Sequence, residues 1–207
     1  MRGNDGAAAE MIGRADVIEM LVAQHHHVDL LRHLVGEVTN VNATMRTLGA
    51  NIEVEDSIVA TMKFSGNVIG VLEVTTAARP NDFEASISLV CEKGLAQIGG
   101  IAVNELQIFT PDPSSCAEWS EDFSGNVYGH GHGYMYRDIS AFFNQNIPYP
   151  VSHIDSLSTI QLLHAFYRSD EAGGWVKLDC DEESVRLGKP DEAMADLYRT
   201  SKVFGVS

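Results

Sequence analysis

Three consecutive histidines, His25, His26 and His27, stand just ahead of Asp29 in the stretch "HHHVDLLRHLVGEV". Successive side chains on a helix point about 100° apart, so three neighbouring imidazoles cannot meet one ion, and the triplet is no metal motif. Spacing does put His26 and Asp29 on one helix face, at i and i+3. There a carboxylate can orient the imidazole, fix its tautomer and raise its basicity for proton transfer. The competing reading is structural: Asp29 sits favourably near a helix N-terminus and the histidines are half exposed.

A second cluster, "NVYGHGHGYMYRD" (Asn126 to Asp138), alternates glycine and histidine before a helix. Such a loop exposes its backbone, so Tyr128, His130, His132 and the N–H groups of the first helical turn can close on a polar ligand. An ordinary strand-to-helix loop with solvated histidines explains the same residues. Zinc would need a third ligand that the His-Gly-His spacing does not name. A metal hydrolase using His25 to His27 with His130 and His132 is therefore the weakest reading, and no metal is assigned. Arg79, held by Pro80 in "TTAARPND", is placed to meet a carboxylate or phosphate at the end of a strand. No Gly-x-Gly-x-x-Gly follows a predicted strand and no Walker A sequence occurs, so this chain is assigned no cofactor-binding residues.

These residues need elements to hold them. Val28, Leu31 and Val35, widened by Leu30 and Leu34, recur at helical steps, and Gly36 ends the run. In "VEDSIVATMKF" the period changes to two, with Ile58, Ala60, Met62 and Phe64 on one side, and "SGN" then turns the chain. Val68 to Ala77 and Glu84 to Glu92 read as further strands, and Lys93-Gly94 leads into "LAQIGG" and later "LQIFT". Helical spacing returns in Tyr134 to Asn146 and in Ser156 to Asp170. In the latter, Leu157, Ile160, Leu163 or His164, and Tyr167 share a face, with Asp155 or Ser156 as the N-cap. "WVKLD" suits a short edge strand, and a last helix is predicted from Pro190.

The expected architecture is α+β: a predominantly antiparallel open sheet with helices packed on one face. The other face is left for a partner subunit, so a homo-oligomer is expected. Residues 1–20 read as an N-terminal arm, 21–180 as the domain, and 181–207 as an acidic extension. The 207 residues, 44% hydrophobic, suffice for one substantial core. A formal charge of −15, from 29 acidic against 14 basic residues, argues against nucleic acid and against anionic membranes. Cys91, Cys116 and Cys180 are odd in number and widely spaced, which suits a reducing compartment. With no apolar run long enough to span a bilayer, a cytoplasmic location is expected.

"HHVDLLRHLVGEV" (His26 to Val38), the strand block Val54 to Gly100, "VYGHGHGYMYRDI" (Val127 to Ile139) and His153 to Leu178 occur in an order with a known parallel. Together they resemble the C-terminal domain of the Gfo/Idh/MocA oxidoreductases, and most of all the branch that oxidises UDP-N-acetylglucosamine or its uronate at C3. The resemblance runs from about residue 21 to 178. It implies an NAD(P)-dependent family whose cofactor sits in a separate Rossmann domain, here a possible partner in trans. It also implies a sugar-nucleotide ligand and the family's His-x-x-Asp at His26 and Asp29, with the histidine handling the proton. Candidate substrate contacts are Arg79, Tyr128, His130 and His132. The family's Glu-Lys-Pro lysine has no counterpart in these 207 residues. Val22 also replaces an aspartate that often precedes the histidine by four residues. On this basis the chain alone is expected to be a substrate-binding and oligomerisation half, or a stand-alone sugar-nucleotide module without redox chemistry.

Overall fold

A computed structural model of the chain describes residues 25–49, 54–77, 85–123, 129–178, 182–187 and 189. The predicted arm, the helix from Pro190, Arg79, Tyr128 and Cys180 lie outside the described residues. The chain forms two compact units, one from residues 1–77 with 153–207 and one from residues 78–152.

The first unit is a sheet covered by helices. Helix α1 spans the described residues 25–35. Gly36 ends it with φ +107°, and the Gly36 N–H donates to the Arg32 carbonyl at 2.8 Å. A side chain would strain that conformation. Strands β1 (Val38–Arg46), β2 (Ser57–Phe64), β3 (Ile69–Thr75) and β7 (Val176–Lys177) form an antiparallel sheet in the order β3-β2-β1-β7. β2 shows the predicted alternation: Ile58, Ala60, Met62 and Phe64 are buried, and Val59, Thr61 and Lys63 face outward. The turn at Ser65–Asn67 joins β2 to β3, and "WVKLD" supplies the edge strand as expected.

β1 is a central strand that the sequence does not announce. A bulge between Val38 and Asn40 shifts the register, so the buried positions run Val38, Val41, Ala43 and Met45 rather than strictly alternating. Asn40 and Asn42 further dilute the strand signal.

Helix α4 (His153–Ala172) packs on β1, and α1 adds Val28, Leu31 and Val35 to the same core. The helix begins before Asp155 and Ser156, so neither is the N-cap, and Asp155 lies in the first turn. The expected apolar face is also corrected. Leu157 and Ile160 are exposed, while Leu162, Leu163, Phe166 and Tyr167 are buried together with Thr159 and Ser169. The inward polar residues have partners. β7 accompanies β1 only at Asn40 and Val41. Farther along, the Ala43 N–H donates to Ser169 Oγ at 2.8 Å and the Met45 N–H to Asp170 Oδ1 at 3.0 Å. Side chains of α4 thus satisfy backbone donors that would otherwise form an open sheet edge.

The second unit has its own antiparallel sheet of β4 (Ile87–Cys91), β5 (Gly94–Gly99) and β6 (Glu105–Phe109), in that order. The predicted strands therefore divide between two sheets while the α+β antiparallel class holds. The short helix α2 (Ser115–Glu118) contacts β6. Helix α3 (Gly131–Gln145) ends in a left-handed Asn146 and buries none of its residues.

Candidate active site

His26 and Asp29 lie on α1 as the helical spacing predicts. His26 is exposed, and its ring meets that of His25 edge-on at 5.9 Å. His27 is half-buried.

Asp29 is joined to a polar cage that the sequence reading did not single out. Its Oδ1 accepts a 2.6 Å hydrogen bond from Thr159 Oγ1. The buried Arg32, one turn farther along α1, has Nη1 3.6 Å from the same oxygen. Arg32 Nη1 also donates to Thr159 Oγ1 at 2.6 Å and to the Asp155 carbonyl at 3.1 Å. Its Nη2 donates to Glu37 Oε1 at 2.8 Å and to Asp155 Oδ1 at 3.3 Å.

One guanidinium therefore ties α1, the loop into β1 and the first turn of α4 together. A planar fork with five N–H donors suits that task better than an ammonium would. Its carboxylate partners are 41% (Asp29), 64% (Glu37) and 52% (Asp155) exposed, so water screens each pair and none is a strong stabiliser alone. The main effect is orientation. The sequence did carry a signal for Arg32, which stands four residues after the buried Val28, inside the apolar stripe. A cation there has to be partnered.

The first unit contains a second cage around Asp170, whose side chain is 8% exposed. It accepts from the Met45 N–H, pairs with Arg46 Nη1 at 3.3 Å and with Arg186 Nη2 at 2.8 Å. Arg168 with Glu182, and Ser184 with Glu171 at 2.5 Å, hold the same C-terminal segment against α4. Among the described residues, none of the predicted site residues belongs to this cage.

In the second unit, His130 and His132 are exposed at the start of α3. Gly129 has φ +56°, and a Cβ there would sit 2.5 Å from the Phe123 ring, which also meets His130 edge-on at 5.9 Å. Gly129 is therefore required by backbone and packing. Gly131 and Gly133 face open space, where a Cβ would meet nothing within 4 Å. A cleft of about 460 Å³ in this unit is lined by Ile98, Val103, Glu105, Leu106, Trp119 and Phe123, and none of the predicted site residues among the described ones lines it.

Among the described residues, no group of three or more His, Cys, Asp or Glu is arranged to hold a metal ion. None of their helices is long and apolar enough to cross a membrane. All strand pairs between described residues are antiparallel. A dinucleotide fold needs a parallel strand–helix–strand unit with glycines cradling the pyrophosphate, and the described residues contain no such unit.

Comparison with known proteins connects this arrangement to a family. The model of the GFO/IDH/MocA C-terminal domain matches residues 20–97. Among solved structures, the WlbA dehydrogenase from Bordetella pertussis, in complex with NADH and UDP-GlcNAcA, is 33% identical with a TM-score of 0.67, over 76% of this chain and 46% of that one. The WlbA dehydrogenase from Chromobacterium violaceum, with the same two ligands, is 33% identical with a TM-score of 0.66, over 76% and 45%. A levoglucosan dehydrogenase in complex with NADH and levoglucosan shares the fold at 20% identity and a TM-score of 0.62, over 75% and 49%. No curated protein gives a match. The chain spans less than half the length of these relatives. By sequence and fold, the chain belongs to the Gfo/Idh/MocA oxidoreductase family, as its C-terminal domain.

Proposed function

We propose that this chain is the substrate-binding and oligomerisation domain of an NAD(P)-dependent oxidoreductase acting on a sugar nucleotide. The observation that carries this is 33% identity over 76% of the chain to two dehydrogenases captured with NADH and UDP-GlcNAcA. His26 takes up the proton leaving the sugar hydroxyl, and Asp29 orients the imidazole. In support, His26 is open to solvent and Asp29 is anchored one helical turn away. A base needs access to its substrate and an orienting group needs to be held still. In the second unit, His130 and His132 are assigned as contacts to the sugar nucleotide, as are Arg79 and Tyr128. NAD(P) supplies hydride-transfer chemistry, and its binding residues belong to a Rossmann-fold protein or domain joined to this one.

The outward face of the four-stranded sheet, with Val59, Ile69 and Val71 exposed, is the proposed contact between copies of the chain. Mixing the chain with a Rossmann-containing partner and a UDP-sugar tests the catalytic role. NADH formation that is abolished by His26→Ala is the expected result, and unchanged activity in that variant refutes the assignment. A stand-alone binding module predicts instead that UDP-sugars raise the melting temperature while no partner confers NAD reduction.

A further inference from the structure

Building on the proposed role of Asp29, we infer that Thr159 is a positioning residue for that carboxylate and that Oδ2 is the oxygen left to orient the histidine or meet substrate. Arginine has no acceptor, so in the 2.6 Å contact between Arg32 Nη1 and Thr159 Oγ1 the hydroxyl must accept. Its single proton is then directed at Asp29 Oδ1, also 2.6 Å away. The hydrogen bonds run in one direction, from guanidinium to hydroxyl to carboxylate, with a charge at each end. Arg32 stands 3.6 Å from Asp29 Oδ1, beyond hydrogen-bond distance, so the threonine makes the bond that the arginine does not.

Thr159 is fully buried and Arg32 nearly so, which keeps competing water away from both donors. The Arg32 fork is in turn fixed by Asp155 and Glu37, and a β-branched threonine has little χ1 freedom. Asp29 itself is 41% exposed, and such a carboxylate on a helix surface would otherwise sample several rotamers. The relay engages Oδ1, whereas Oδ2 accepts no hydrogen bond among the described residues. α4 thereby reaches across 130 positions of sequence to hold a side chain of α1.

Thr159→Val keeps the shape and removes both bonds. Thr159→Cys keeps most of the volume with a weaker donor, in case the valine variant does not fold, and Thr159→Ser retains the hydroxyl. NMR on the full chain reads Asp29 χ1 from three-bond couplings and the His26 tautomer from its ring nitrogen shifts. The expected result is a single Asp29 rotamer in the wild type and the serine variant, and averaged couplings in the valine and cysteine variants. The His26 nitrogen shifts of those two variants move toward those of Asp29→Asn. A single Asp29 rotamer in whichever of the valine or cysteine variants folds overturns the inference, whatever His26 does. Averaged Asp29 couplings with unmoved His26 shifts uphold the relay but refute the pairing of His26 with Asp29.

Discussion

The two units spend their apolar residues differently. In the first, β1, β2, α1 and α4 close on a core that includes Val41, Met45, Ile58, Met62, Leu162 and Phe166, and even its buried hydroxyls are bonded. In the second, α3 buries nothing, and Tyr134, Tyr136, Phe142 and Phe143 stand in solvent. The first unit is therefore a frame that can hold Asp29 to a fraction of an ångström. In the second, α3 is a helix whose stability cannot come from its own packing, since a helix in water needs an apolar face buried elsewhere.

Core truncation should show this contrast most strongly. Phe166→Ala is expected to cost about 3 to 5 kcal/mol in urea unfolding. Phe143→Ala in α3, 77% exposed, should stay within about 0.5 kcal/mol. Comparable losses in the two variants would mean that α3 is covered in solution, and the contrast would fail.

The Asp170 cage should come next. Asp170→Ala leaves the Met45 N–H, Arg46 and Arg186 without their shared acceptor, and a loss of about 2 to 3 kcal/mol is expected. That figure is below the range for fully buried pairs because Arg46 is 37% exposed. A change under about 0.5 kcal/mol would make the C-terminal segment dispensable to the frame.

Glycine substitutions sharpen the comparison within the second unit. Gly129→Ala meets the Phe123 ring at a positive φ and should destabilise by about 1 to 3 kcal/mol. Gly133→Ala fills open space in a helix and should stabilise by up to about 1 kcal/mol. If Gly133→Ala destabilises the free chain instead, something packs closely against that turn.

Much of this was legible in the sequence. β2 and β3, the turn at Ser65–Asn67, the stop at Gly36 and the existence of α3 and α4 follow from periodicity and turn chemistry. β1 was hidden because its bulge breaks the two-residue period just where Asn40 and Asn42 weaken strand propensity. The inward face of α4 was misread because hydrophobic periodicity treats Thr159 and Ser169 as surface residues. They are buried because β1 and α1 present polar groups to them. His26 and Asp29 could be named from their spacing, but the hydrogen bonds of Asp29 could not. Thr159 comes from a helix 130 positions away, a pairing that only the tertiary fold creates.

The most direct test of the central claim is a thermal melt of the purified chain titrated with UDP-GlcNAcA, in parallel with His26→Ala and Asp29→Ala. Saturable stabilisation of the wild type is expected, worth about 2.7 kcal/mol at a hundredfold excess over Kd, with markedly weaker stabilisation of both variants. A wild type that does not respond, or variants that respond equally, would contradict a sugar-nucleotide site built on His26 and Asp29.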